Sequence, residues 1–532
     1  MVAWLLMFHC GPAIAESQAA PAPAGASRVN LAEAVLATLR RDPNIRIQEE
    51  QIKFSQGALQ REEGAFDYAL DTAISQGLTR SPRSESERLS FLGQTNILHN
   101  ASDLSNHRAA VTKLFRSGTS VSAGVELNRL HHNLEASVVN RANVNLIVTV
   151  PLLKRFGASS TAAAERSARV VAEAAFLEMR FVAGQRVLNT AAAYWECLAA
   201  ERHLEVFRDS AKRSKELLEG VVQLVNAGEI PRAELRQTEA DVAQKIADLK
   251  AGEQRFTQAR QNFGLALGLA DEELDKIPLP LQSWPAVQTN QVPRFTGQAM
   301  IEQSLIRRPD YLAARKTGLA AEILEKGARR DLRPQLDLTL EAGYSGLSEG
   351  AGLERFYASV DPRPIRGPNA LATLRLLVPF ENRAAKGLLA QREALTKQAS
   401  LREQNLARAI GSAIRVVLSD LDQSAQEAVR AREAAALYRQ TVENEREKLR
   451  IGTSTIVNVI TLADRLDLAE IRMTDALMRY ATALARIRYE TGLLPTAKGQ
   501  DAVVSMDDLT TLPTQSDLES GEPGASPQTL KP

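Results

Sequence analysis

Very little of this 532-residue chain could do covalent chemistry. It has no phosphate-cradling glycine loop, no dinucleotide fingerprint and no nucleophile motif, so we expect neither an enzyme nor a bound cofactor. His131 and His132 are adjacent, but a metal ion needs further ligands at defined spacing, and a solvated loop is the expected setting. Cys10 lies near the N-terminus and Cys197 in a helical run, so the mature chain would carry one thiol and no internal disulfide. The polar residues worth following sit just after two glycine turns. They are Glu234, after Asn226-Ala-Gly228-Glu-Ile-Pro231, and Ser454 and Asn458, around Arg450-Ile-Gly452-Thr-Ser-Thr455. Their ordinary chemistry is to cap backbone N–H groups at a helix start. Gly228 and Gly452 would end the preceding helix in the left-handed conformation.

The elements that position these turns come as a duplicate. Leu224–Gly268 returns without gaps as Lys448–Gly492 at a constant offset of 224, so that Gly228 meets Gly452, Leu235 meets Val459, Val242 meets Leu466, and Phe256 meets Tyr480. In both copies the bulky apolar residues recur every seven positions, which sets a coiled-coil seam along a helix. Residues 159–226 and 383–450 contain no proline and little glycine; as helices of 68 residues each they would reach roughly 100 Å. The return helices, 231–268 and 456–492, are shorter, and so is the entering helix from Leu31 to Glu63, interrupted at Asp42-Pro43. A return helix and an entering helix placed end to end match one long helix. The expected plan is a wall in which each half supplies one long helix beside two stacked short ones, jointed near mid-height.

Each entering helix feeds a stretch of strict alternation, the mark of a strand with two unlike faces. Phe66, Tyr68, Leu70 and Ile74 alternate with Asp67, Asp71 and Ser75; Leu336, Leu338, Leu340 and Tyr344 alternate with Asp337, Thr339 and Glu341. Returning strands carry Val144, Leu146, Val148 and Val150, and Ala372, Leu374, Leu376 and Val378, and stop at Pro151 and Pro379. About nine residues per strand suffice to cross a bilayer obliquely. Residues 80–140 hold extra material, with Val121, Ala123, Val125 and Leu127 in alternation; it forms either an added hairpin or an elaborated surface loop.

The balance of charge, 65 basic against 64 acidic residues, offers no basic patch for nucleic acid. Residues 1–15 end in Ala13-Ile14-Ala15, a signal-peptidase site, although the positive n-region is missing and the natural start is expected upstream. The residues before Cys10 are not the small ones that lipidation requires. Residues 16–29 read as a flexible lead-in, 271–296 as a proline-rich band around the mid-height joint, and 495–532 as a disordered tail. No segment approaches ~20 apolar residues, so only strands could hold the chain in a membrane.

Tandem halves in this order, the phrase Gly452-Thr-Ser-Thr-Ile-Val-Asn-Val-Ile, and the exit through Val150-Pro-Leu-Leu-Lys-Arg-Phe-Gly157 resemble the TolC-type outer membrane efflux proteins over about residues 31–494. The resemblance implies an α+β membrane protein built as a tandem structural repeat, with a first repeat over 30–270 and a second over 297–494. It implies a homotrimer in which four strands per chain complete a shared twelve-stranded transmembrane β-barrel. That barrel would be continuous with a long periplasmic α-helical coiled-coil barrel. The implied partners are outer-membrane lipid, a periplasmic adaptor and an inner-membrane pump, and the implied role is the exit duct of tripartite efflux or type I secretion. Physics supplies part of this independently, since an open sheet edge in hydrocarbon costs several kcal/mol per unpaired backbone group and a few strands cannot close alone.

By the same resemblance the tunnel narrows at acidic rings whose positions fall on Asn458 and Thr461 here, so the carboxylates are missing. A lumen-facing Arg position holds Ser454 and a Tyr position holds Leu449, while Glu234 keeps an acid at the duplicate of Asn458. The adaptor would dock on the tips at Gly228, Glu229 and Ile230 and at Gly452, Thr453 and Ser454. A trimeric coiled-coil scaffold or adhesin that transports nothing is the alternative from another class.

Overall fold

The computed structural model describes residues 27–90, 98–133, 137–281, 283–287, 297–361, 366–494 and 505–513. The expected leader at 1–15 lies outside the described residues.

The first half opens with α1 (Leu31–Arg41), started by a capping box in which the Asn30 side chain accepts from the Glu33 amide and Glu33 reaches back. Asp42 then turns the chain and caps α2 (Pro43–Glu63), accepting from the Asn44 amide at 2.7 Å. Strands β1 (Tyr68–Pro82), β2 (His99–Leu114), β3 (Ser120–His132) and β4 (Val139–Pro151) follow. The chain leaves the sheet through α3 (Ala163–Asn226) and returns in α4 (Arg232–Ala266). The second half runs α5 (Gly297–Arg307), α6 (Pro309–Arg330), β5 (Gln335–Glu349), β6 (Arg366–Leu377), α7 (Arg383–Arg450) and α8 (Ile456–Glu490).

These six strands form one antiparallel sheet in chain order, and a separate parallel pair joins Arg28–Val29, the end of the lead-in expected to be flexible, to Leu279–Pro280. Four strands per chain, and with them a twelve-stranded barrel from three copies, were the expectation; the sheet instead has six. Within 80–140, β2 and β3 form a hairpin inserted between β1 and β4, preceded by a short helix, Glu85–Ser90. Strand β3 announces itself by alternation, but β2 (HNASDLSNHRAAVTKL) is largely polar, and pairing with β1 and β3 rather than its own pattern makes it a strand. The pair His131-His132 accordingly ends a strand instead of lying in a loop.

Register aligns one face across the whole sheet. Leu70, Val111, Ala123, Leu146, Ala342 and Ala370 stand side by side, and the opposite face carries rows such as Arg108, Glu126, Asn143 and Ser345. The apolar face is bare near the helices, with Leu70 69%, Ile74 77% and Leu374 63% exposed. At the far end a short helix, Leu353–Ala358, lays Phe356 on Leu127 and Ala142.

The helices form a wall. Helix α3 runs its full height, flanked by α2 and α6 above and by α4 and α8 below, and α6 and α8 separate it from α7. The joints are made by close approach: a Cβ on Gly268, at φ +71°, would sit 2.9 Å from the backbone of Arg41 and Asp42. An aromatic group fills the first joint, where Tyr194 meets Phe263 edge-on and Trp195 stacks on Trp284. Two further parts of the chain pack here, one from the band 271–296 and one from the tail that was expected to be disordered. Ile277 is buried in the same core, and the described part of the tail, 505–513, seats Leu509 in it while Arg488 donates to the Thr511 carbonyl. The outer flank of α7 keeps Leu388, Leu395, Val416 and Leu437 exposed in one heptad register, and α2 at the opposite edge keeps Ile47 and Phe54, seven apart.

Candidate functional site

The end of the wall away from the sheet carries the two hairpin turns. Both are built alike because both helices must end abruptly. Gly228 at φ +76° and Gly452 at φ +77° take the left-handed conformation. In each turn two amides bond back, Gly228 to Val225 and Glu229 to Leu224, Gly452 to Leu449 and Thr453 to Lys448. A Cβ on either glycine would meet nothing within 4 Å. Gly228, Glu229, Gly452 and Thr453 are exposed and Ile230 and Ser454 half-buried, so both tips present bare backbone and small polar groups.

The polar residues singled out from the sequence have the following settings. Asn458 and Thr461 are exposed on α8, one turn apart. Asn458 does not cap; its amide is capped by the Thr455 hydroxyl at 3.3 Å. Ser454 donates to Glu445 at 2.5 Å, and that hydrogen bond, then the one from Lys448, holds the Glu445 carboxyl below its usual range. Glu234 is half-buried in the first turn of α4, with Oε2 shut off from solvent and unpaired. Leu449 lines a cavity of about 280 Å³ together with Leu217, Val459 and Ile460.

That cavity leads to a group the sequence reading passed over. Asp467 on α8 is 6% exposed, and three cationic or hydroxyl side chains from two other helices converge on it. Arg213 of α3 lies at 2.6 Å, Lys245 of α4 at 2.9 Å, and Ser210 of α3 also donates to it. Lys245 bridges onward to Asp464 at 2.6 Å. Burial works to lower the Lys245 pKa, but hydrogen bonds to Asp464 and Asp467 and their charges outweigh it, and the ammonium is held above the ordinary lysine value. The cluster stands roughly 25 Å above the Gly228 turn along α4. It ties α3, α4 and α8 together with charged hydrogen bonds, a latch between the two hairpins.

The latch had a signal in the sequence. At the offset of 224 its five positions have small or apolar counterparts: Ser210 meets Ala434, Arg213 meets Leu437, Lys245 meets Ala469, Asp464 meets Ala240 and Asp467 meets Ala243. A second charged group lies at the mid-height joint, where Arg308 binds Asp310 at 2.8 Å and also Glu490. Burial there pushes the Tyr489 hydroxyl up to about 12. Among the described residues no group of three or more His, Cys, Asp or Glu could hold a metal ion, and no helix is long and apolar enough to cross a membrane.

An antiparallel sheet carried on a jointed wall of very long helices is a fold shared with solved outer membrane channels. The similar solved structures include the Campylobacter jejuni CmeC outer membrane channel, at 13% identity, TM-score 0.65, and coverage of 87% of this chain and 85% of that one. The outer membrane protein VceC from Vibrio cholerae is similar at 15% identity and TM-score 0.62, over 87% and 96%. The open state of the Neisseria gonorrhoeae MtrE outer membrane channel is similar at 14% and 0.59, over 87% and 89%. No family model and no curated protein matches the sequence.

Proposed function

We propose that this chain is the outer-membrane exit duct of an efflux or type I secretion assembly. Several copies, three by resemblance, close edge to edge into one barrel and one helical tunnel. The observation that carries this is the continuity of two surfaces: a sheet of which five strands are apolar on one side and polar on the other, joined to helices of 64 and 68 residues. The apolar side faces outer-membrane lipid, the polar side encloses water, and the rods span a second aqueous compartment, the periplasm. The unpaired strand edges and the bare apolar seams of α7 and α2 are the surfaces through which copies join. The two exposed tips receive a periplasmic adaptor, which couples the duct to an inner-membrane pump. The duct does no chemistry; its residues position, close and open a path.

In this reading Asp467, Lys245, Arg213 and Ser210 hold the tip end closed, with Leu449 walling the space behind them, and Asn458 and Thr461 make a narrow end without acidic rings. The test is conductance of the purified oligomer in planar bilayers, together with drug or dye sensitivity of a deletion strain. A conducting oligomer and a sensitised strain support the duct. A non-conducting oligomer whose loss alters only adhesion or envelope shape overturns it in favour of a scaffold.

A further inference from the structure

We infer that the assembled barrel is wider than two strands per half would make it, because the β2–β3 hairpin is part of its wall; three copies of a six-stranded sheet give eighteen strands. This rests on the reading of the chain as a duct closed by its own copies.

Three observations support it. First, the sheet segments of the two halves differ in length. Leu70-Asp71 opens the first as Leu336-Asp337 opens the second, and Val150-Pro151 closes the first as Val378-Pro379 closes the second. The first segment is the longer, and its excess is close to the length of the β2–β3 hairpin from His99 to His132. Two strands is also the smallest insertion that returns the chain to the helix side. Second, the inserted strand β3 keeps the faces of its neighbours, with Val121, Ala123 and Val125 on the apolar side and Ser122 and Glu126 on the polar side, whereas β2 does so only at Ala109 and Val111 and sets Asp103, Ser105 and His107 on that same side. A lobe folded away from the bilayer has no need of that match. Third, β2 and β3 are bonded along their whole length between β1 and β4, so the free edges are β1 and β6. They run antiparallel, and each needs a partner in hydrocarbon.

The halves also predict how copies join. Within the chain Val148 of β4 pairs with Leu340 of β5. Aligning the closing Val-Pro pairs makes Leu376 the counterpart of Val148, and aligning the opening Leu-Asp pairs makes Ile74 the counterpart of Leu340. The same junction repeated between copies sets Leu376 of β6 opposite Ile74 of β1 in the next copy, apolar faces aligned. With strands ~4.8 Å apart and tilted by ~40°, eighteen strands enclose a backbone radius of about 18 Å, against about 12 Å for twelve. A ring of twelve helix positions at ~9 Å spacing has a radius of about 17 Å. The exit would then be as wide as the tunnel, and selection by size would fall to the tip end alone.

The experiment uses the full chain in a Cys197→Ala background, reconstituted in liposomes, with two independent arms. In the first, Ile74→Cys with Leu376→Cys is oxidised and run without reductant. A ladder ending at the trimer is expected, whereas a disulfide confined to one chain, or none, overturns closure by copies and the duct reading with it. In the second, single cysteines at Val121, Ser122, Ala123, Val125 and Glu126 carry nitroxides. Oxygen accessibility should be high at 121 and 123 and lower at 125, which packs beside Phe356, and accessibility to a polar nickel chelate high at 122 and 126. Trimer cross-links without that alternation overturn the wide barrel and leave the duct standing.

Discussion

The two halves of this chain share a scheme and differ where function needs a difference. Each half has an entering helix pair, a sheet segment, one long helix, a glycine turn and a 35-residue return helix. The shared parts are those that backbone chemistry requires. A helix must end somewhere, and Gly228, Gly452, Gly268 and Gly492 end theirs with the same pair of bonds and φ between +71° and +77°. The differences are two extra strands and the tip-end latch. The latch takes its cations from the first half and its anions from the second, each facing alanine or leucine at the duplicate position. The scheme common to the halves makes the wall, and a departure from it places a charged tie at a junction between them.

The largest expected effect breaks the latch. Asp467→Ala leaves Lys245 and Arg213 in a poorly solvated site without their anion, which should cost about 3 kcal/mol and loosen the tip end. Thermal unfolding in detergent and the open fraction in bilayers report both; unchanged values would make the latch a passive contact. The alanine at the duplicate position of Asp467 says that an apolar junction is tolerated. Asp467→Leu combined with Lys245→Met and Arg213→Leu should therefore restore most of the stability and none of the closure.

The joints give the next comparison. Gly268→Ala forces a side chain into the left-handed region and against backbone at 2.9 Å, whereas Gly492→Ala meets backbone at 3.4 Å. We expect a cost of about 2–3 kcal/mol at the first and about 1 kcal/mol at the second, read as denaturation midpoints. Equal effects would mean that the joints are not packed differently.

A pH profile sharpens the latch further. Lys245 has a folded pKa above its unfolded value, so its contribution is whole below about pH 10.4 and is lost as pH rises through the folded value. Alkaline loosening should appear above that point in the parent chain and be absent in Lys245→Met. The smallest change in stability, within about 0.5 kcal/mol, is expected for Asn458→Asp with Thr461→Asp, since acids are favourable in the first turns of a helix. If the chain is the proposed duct, that pair should nonetheless create divalent block at micromolar levels, whereas weak block is expected of the parent. Strong block of the parent would show that the narrow end is acidic by other means.

Part of the site was open to sequence reading. The turns, the heptad seams and the strand faces are local patterns, and the glycines mark themselves by what the backbone must do. Asn458 and Thr461 were located by resemblance, and Thr455 rather than Ser454 or Asn458 proved to be the capping residue. The latch was missed because Lys245 and Asp467 are 222 positions apart, a separation at which no periodicity carries information. Its only trace was negative, charges facing alanines across the repeat.

The fate of 80–140 shows the same limit from the other side. Residues 99–114 spell a polar stretch, and a polar stretch becomes a strand only when neighbours on both sides offer it a ladder. The tail at 505–513 is similar: Leu509 finds a pocket that four separate segments make. The order of residues determined the helices, their lengths, their turns and the two-faced strands, because φ/ψ preference and side-chain period act over a few residues. Which strands stand side by side, which charges meet and how many strands the wall contains were settled by tertiary structure, because those energies are shared between groups that the chain brings together only once it has folded.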